Sequence, residues 1–416
     1  MRSTTERGLS RRDYLRGLVA LGGSAGLAAC LDATGGAGIR SGDPAQRPSR
    51  QHAWNAGLST DEDGNHLLPE HHVLVPLRLV STPDESAAER VETAFRSLEQ
   101  AYAYAHDGLL FAVGYSPAYF DRFEEATTPV PSPEALTPME SPAFDTFDAV
   151  VHLASDHPAA VIEAEEALLG GTESANGTEM EATLSGIFER VATRRTGFVG
   201  AGLPAEHTDV DGVPESIPEE APSLMGFRSG FRGTQAPEDR ITIRDGPFEG
   251  GTTMHVSSLT LQLNAWFEQD SHEQRVAKLF SPEHAEEKRV GTVGEKLGST
   301  TNVADGAASR LETDARTRGV VGHAQKAAGA RDDDGTPPLL RRDFSTVDRD
   351  TPGVHFVSYQ RSIDDFVRVR EAMTGSDVAG EGVGQRLNNG ILQYVFVRRR
   401  GNYLVPPRSK RAFPRP

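Results

Sequence analysis

His72-Val73-Leu74-Val75-Pro76-Leu77-Arg78-Leu79 is followed by a helical run from Glu85 to Tyr104 and then by Gly108-Leu109-Leu110-Phe111-Ala112-Val113-Gly114. The two flanking stretches are short, apolar and bounded by turn residues, as buried strands are, whereas the stretch between them repeats its apolar positions at helical spacing. The same order then recurs. Ala149 to Ala154 reads as a strand, Pro158 to Leu169 as a helix and Thr196 to Ala201 as a closing strand. The sum is β-α-β…β-α-β, the ferredoxin-like order.

A second copy of the pattern begins at Gly251. Met254 to Leu263 alternates as a strand does, and Ser271 to Leu279 reads as a helix. A long insertion follows. The strand Gly353 to Tyr359, the helix Ile363 to Met373 and the strands Leu392 to Arg398 and Tyr403 to Val405 complete the copy. The chain is long enough for two cores rather than one. The expected fold is therefore α+β, with two ferredoxin-like halves at 69–223 and 224–410 whose antiparallel sheets pack together, dimeric α+β barrel-like. The stretches Glu124 to Ser141 and Thr208 to Ser223 are Pro- and Glu-rich loops, and Gly298 to Asp332 is Ala/Gly-rich with weak helical periodicity.

Residues 1–29 read as an export signal. Ser10-Arg11-Arg12-Asp13-Tyr14-Leu15-Arg16 lies close to the twin-arginine consensus, and an apolar stretch runs from Gly17 to Ala29. Thirteen helical residues cover roughly 20 Å, short of the ~30 Å of a bilayer's hydrocarbon core, so the segment is a signal rather than a spanning helix. It ends in Leu27-Ala28-Ala29-Cys30, small residues before a cysteine, which predicts lipidation at Cys30. Cys30 is the only cysteine, which excludes an intrachain disulfide and a thiolate metal site. Stable anchoring needs two lipid chains. Residues 30–68 read as a flexible Gly/Ser/Pro-rich tether. The expectation is a protein exported by the twin-arginine route and held on the outer face of the cytoplasmic membrane, or extracellular.

The formal charge of −17 excludes non-specific nucleic-acid binding. The N-terminal 29 residues carry five arginines against Glu6 and Asp13, so the chain without them is nearer −20. Five lysines stand against 38 arginines. An acidic, lysine-poor composition suits concentrated salt, where the weakly hydrated guanidinium is better tolerated than an ammonium, and points to a halophile.

Four strings give the chain a family likeness. Gly226-Phe227-Arg228-Ser229-Gly230 matches a G-F-x-D-G block in all but its acid, and His323 is followed eighteen residues later by Arg341. Phe111-Ala112-Val113-Gly114-Tyr115-Ser116-Pro117 leads into Phe120-Asp121-Arg122, Phe356-Val357-Ser358-Tyr359-Gln360-Arg361 fits an F-x-S-Y-Q-R string, and Gly401-Asn402-Tyr403-Leu404-Val405-Pro406-Pro407 reads as a closing strand near the C-terminus. Over nearly the whole chain after the signal these resemble the dye-decolourising (DyP-type) haem peroxidases, whose architecture is also two packed ferredoxin-like halves.

The resemblance implies haem b as cofactor, hydrogen peroxide and an unknown reductant as substrates, and a possible homo-oligomer. It makes His323 the proximal iron ligand, since imidazole donates electron density to the iron. It makes Arg341 the distal arginine, which stabilises charge on the departing oxygen and anchors anions, with Arg342 as the weaker candidate. Gln393 stands where the family often has the aspartate that accepts the proximal histidine's second N–H. Ser229 occupies the place of the distal acid, and a hydroxyl cannot serve as a base near neutral pH. Asp343, Glu238 and Asp239 are the carboxylates available to take over that relay. The alternative reading is a non-catalytic haem-binding or iron-handling exported lipoprotein.

Three weaker signals remain. His71 and His72 are adjacent strand residues pointing to opposite faces, which argues against a metal cluster. Asp332 to Asp334 reads as a solvated acidic loop, and Asn176-Gly177-Thr178 is a glycosylation sequon.

Overall fold

A computed structural model describes residues 38–415 except 124–128, 193–194, 302 and 304–307. The export signal and Cys30 lie outside the described residues. In the first half, β1 (His71–Leu79), α1 (Glu85–Ala101), β2 (Leu110–Tyr115), β3 (Ala149–Ser155), α2 (Pro158–Leu168) and β4 (Arg195–Phe198) follow the expected order. Asp84 caps α1 by accepting from the Ala87 amide at 2.8 Å. The strands lie side by side as β2, β3, β1, β4, all antiparallel.

The second half contains β5 (Thr252–Leu261), α3 (His272–Leu279), α4 (Leu311–Arg318), α5 (His323–Ala328), β6 (Leu340–Arg341), β7 (Phe344–Thr346), β8 (Gly353–Gln360), α6 (Ile363–Thr374) and β9 (Val395–Val405). Its strands are ordered β7, β8, β5, β9, the same arrangement as in the first half, with β6 also on β8. Two details differ from the sequence reading. The segment carrying Arg341 is itself the second strand of this half rather than part of the insertion. The two C-terminal strands are one, because β9 continues through Gly401 opposite Val256.

The halves join edge to edge at both sides. Leu404 of β9 pairs with Tyr115 of β2, and Phe198 of β4 pairs with Ser345 of β7. Among the described residues the path β1-β4-β7-β8-β5-β9-β2-β3 therefore closes on itself as an eight-stranded barrel. Closure satisfies the strand edges that an open sheet leaves exposed. Each seam rests on a single register pair, so side chains must hold it as well. Inside, Leu74, Val150, Met254, Val256, Val357, Tyr359 and Tyr403 fill the barrel.

The outer faces of the two halves differ. In the first half Val73, Val75, Leu77, Phe111, Val113 and Leu153 pack under α1 and α2 as a continuous core. In the second half Leu259, Leu261, Val354, Phe356, Val395 and Val397 face a cavity instead.

Residues 38–68, expected to be a flexible tether, pack against the barrel. Trp54 is fully buried and its indole N–H donates to Gln51 O at 2.9 Å. Arg47 donates to Tyr102 O and Leu109 O, and Gln51 exchanges bonds with Val113 and donates to Pro406 O. Composition suggested a linker, but one tryptophan and a few side chains that complete backbone bonds are enough to fix the segment. The sequon is also used internally, since Asn176 Nδ2 donates to Ile39 O at 3.0 Å and Ala101 O at 2.6 Å. His72 is buried and bonded to His152 at 3.0 Å and Pro69 O at 2.8 Å.

Candidate active site

The cavity encloses about 1170 Å³. That is at the upper end of the ~300–1,000 Å³ usual for ligand and cofactor pockets. One wall is the outer face of the second sheet and the opposite wall is α5 and α6. Its surface is mostly apolar, with a few polar side chains at defined places.

His323 opens α5 and lines the cavity. Its position is set by close backbone packing. A Cβ on Gly322 would lie 1.8 Å from Phe280 O, and one on Gly390 would lie 3.2 Å from the His323 amide N, so only glycine fits at either side. Gln325 closes the helix start by accepting from the Gly322 amide at 3.1 Å and donating to Asp314 at 2.7 Å. The ring has no hydrogen-bond partner among the described residues, and the surface it exposes faces the cavity. Burial, and then the charges of Lys326, Arg341 and Arg370, push its pKa down to about 3. The imidazole is therefore neutral, the form that ligates a metal.

Arg341 and Asp343 enter from the other wall. Leu340 and Phe344 pack inside the barrel, and Arg342 lies between them on the same side of the segment. The twofold alternation of an extended chain therefore turns Arg341 and Asp343 outward. Arg342 is 1% exposed, stacks over Trp54 at 4.4 Å and Tyr359 at 5.6 Å, and donates to His52 O at 3.0 Å. It holds the N-terminal segment to the barrel, and of this pair Arg341 is the one turned outward along the cavity wall.

The loop that carries Ser229 grips Arg341. The Arg341 amide donates to Gln235 Oε1 at 2.9 Å, Gln235 Nε2 donates back to Arg341 O at 3.1 Å, and Arg341 Nη2 donates to Thr234 Oγ1 at 3.2 Å. No carboxylate pairs with the Arg341 guanidinium among the described residues. Gly226 and Gly230 bound the loop's turn with φ of 82° and 80°, a backbone open to glycine. Ser229 between them is exposed at the cavity's edge. The loop is tied to the N-terminal segment, where Asp61 pairs with Arg228 and Asn65 Oδ1 accepts from the Arg232 amide at 2.8 Å.

Three sequence expectations are corrected or sorted by these positions. Gln393 is not behind His323, because its Oε1 accepts from the Asn388 amide at 3.1 Å and its Nε2 donates to Tyr394 Oη at 2.6 Å. Its place in a tight turn before β9 directs it away from the cavity. Glu238 accepts from the Asn55 amide at 2.8 Å, and Asp239 is an exposed partner of Arg50, so neither serves the pocket. Asp343 is the one of the three carboxylates that lines the cavity. Gln235, Thr234, Asp61 and Lys326 were missed, since nothing local distinguishes them from ordinary polar residues.

A sequence profile of a family of unknown function (DUF7405) matches residues 69–407. The chain belongs to that family. No curated protein sequence matches it. Among solved structures it is similar to DyPB from Rhodococcus jostii, at 15% identity and a TM-score of 0.53, covering 86% of this chain and 97% of that one. It is also similar to the encapsulated DyP-type peroxidase from Mycobacterium smegmatis, at 13% identity and a TM-score of 0.51, covering 84% and 96%. A dye-decolorizing protein from V. cholerae gives 15% and 0.50, covering 86% and 98%. At such identities the likeness concerns the fold, and this DUF7405 chain shares the DyP-type architecture.

Proposed function

We propose that this protein is a haem-dependent peroxidase that reduces hydrogen peroxide at the expense of an unidentified reductant, exported and lipid-anchored through Cys30. The observation that carries the reading is an imidazole without a hydrogen-bond partner and a guanidinium without a paired carboxylate, among the described residues, both lining one largely apolar cavity. A flat apolar cofactor with a ligand-accepting metal fits those walls, and the fold is that of proteins one of which, a Rhodococcus jostii DypB variant, is solved in complex with heme.

His323 would hold the haem iron, and haem bound there would supply the redox centre at which peroxide is reduced. The protein's own groups do the rest. Reduction of peroxide to two waters consumes two electrons and two protons and leaves negative charge on the departing oxygen. The Arg341 guanidinium, fixed by Gln235 and Thr234, stabilises that charge. The Ser229 hydroxyl can bridge a water but cannot hold the relayed proton as a base. The Asp343 carboxylate, two positions beyond Arg341 and lining the cavity, is the group that can. The exposed setting of Ser229, without a side-chain hydrogen bond among the described residues, also favours a second reading, in which the protein binds haem without turning over peroxide.

The test is titration of the purified protein with haemin in concentrated salt, followed by His323→Ala. A Soret band that forms in the wild type and is lost or loosened in the variant supports the assignment. An identical spectrum in both removes His323 as ligand, and rapid mixing with peroxide then separates enzyme from binder.

A further inference from the structure

Lys326 lies one helical turn beyond His323 on α5 and is 1% exposed. Its Nζ donates to Met373 O at 2.7 Å, Asn389 O at 3.0 Å and Asn389 Oδ1 at 2.6 Å. Three acceptors match the three N–H bonds of an ammonium, whereas a neutral amine would turn its lone pair toward one of those oxygens. The arrangement therefore holds the charged form, although burial, with Arg370 adding to it, draws the pKa down to about 7.

The stem of the lysine has no room to swing away. A Cβ on Gly375 would lie 3.0 Å from its Cδ, and one on Gly390 would lie 3.2 Å from its Cε and equally close to the His323 backbone. Asn389 is fixed in turn, its Nδ2 donating to Thr374 O and Gln385 O at 3.1 Å each. A ligating histidine ordinarily hands its second N–H to a carboxylate or carbonyl, which raises its basicity. Here the ring has no such partner among the described residues, Gln393 is engaged elsewhere, and the nearest buried charge on its own helix is positive.

We propose that Lys326 is a positioning residue for the iron's ligand: it locks α5 in place and sets a positive charge one helical turn from His323, a ring with no acceptor among the described residues. The imidazole then stays a neutral, weakly donating ligand. The iron it binds favours the reduced state, because a nearby cation opposes the extra positive charge of the oxidised one. This inference rests on the haem reading above.

The test uses haemin-reconstituted full-length protein and the iron's midpoint potential. Lys326→Met should shift the one-electron equilibrium toward the oxidised state by about tenfold, ~59 mV in potential. Lys326→Arg, which restores the charge, should return most of the shift. A Lys326→Met protein that binds haemin normally at the wild-type potential overturns the proposal. Should that variant not fold, resonance Raman on the reduced wild type decides. A low iron–imidazole stretching frequency supports an unbacked neutral ligand, and a high, imidazolate-like one overturns it. Wild-type protein that takes up no haemin, or His323→Ala with an unchanged spectrum, defeats the haem reading itself, and this proposal with it.

Discussion

Ser229 is the residue at which the chain departs from the G-F-x-D-G block it otherwise resembles. It sits exposed between two glycines of positive φ, so the loop tolerates a change of side chain there without disturbing buried packing. A well-placed general acid–base group contributes ~10² to 10⁴ in rate. Ser229→Asp should therefore accelerate reaction with peroxide by a factor in that range, read by stopped-flow absorbance, if no other carboxylate already serves. Should the wild type be fast and Ser229→Asp change nothing, Asp343 already serves as the relay, and Asp343→Asn should then remove the activity. Arg341→Leu should slow turnover in either case, since in the proposed reaction its guanidinium would stabilise the charge on the departing oxygen. The sequence led to His323, Arg341, Ser229 and Asp343, and the structure brings all four to one cavity. It did not lead to the surroundings of His323, because the residues behind the ring come from the turn at 388–390 and from α6, and their approach depends on backbone packing at Gly322 and Gly390.

At the scale of elements, the N-terminal segment is the largest departure from expectation. Residues 55–68 contribute Asn55, Leu58, Asp61 and His66 to the cavity wall, and Asp61 and Asn65 fasten the loop that holds Ser229. Its anchor is Trp54, fully buried beneath the Arg342 guanidinium and beside the His152 ring at 5.1 Å. Removing a buried tryptophan side chain costs about 3–5 kcal/mol. Trp54→Ala should lower stability by that amount in chemical denaturation and loosen haemin binding with it. A variant that keeps full stability would show that the segment is held elsewhere. The segment from Leu340 to Thr346 teaches the converse lesson. Its Arg-Arg-Asp centre hides a strand, because the inward side of the alternation contains an arginine that only an aromatic stack makes acceptable.

For the whole molecule, the acidic composition and the proposed N-terminal signal concern where the protein works. Cys30→Ser should release the protein into the medium or leave the precursor unprocessed, as fractionation and mass spectrometry of the N-terminus would show. Wild-type protein recovered soluble in the cytoplasm would refute export. The order of strands and helices in both halves was legible in the sequence because each strand is short, apolar and framed by turns, and each helix carries one apolar stripe. Barrel closure was a matter of family likeness rather than local pattern, since each seam is a single register pair between residues far apart in the chain. The sequence by itself determined the two ferredoxin-like halves and the identities of the four candidate residues, His323, Arg341, Ser229 and Asp343, that line the cavity. Only the tertiary structure decided that Arg342 and not Arg341 stacks on Trp54, that Gln393 bonds within its own turn, that the supposed tether is a wall, and that Lys326 is buried one helical turn beyond His323. Those outcomes depend on which side of a strand reaches solvent, which backbone approaches which, and how buried charges find acceptors, and such relations exist only once distant segments have met.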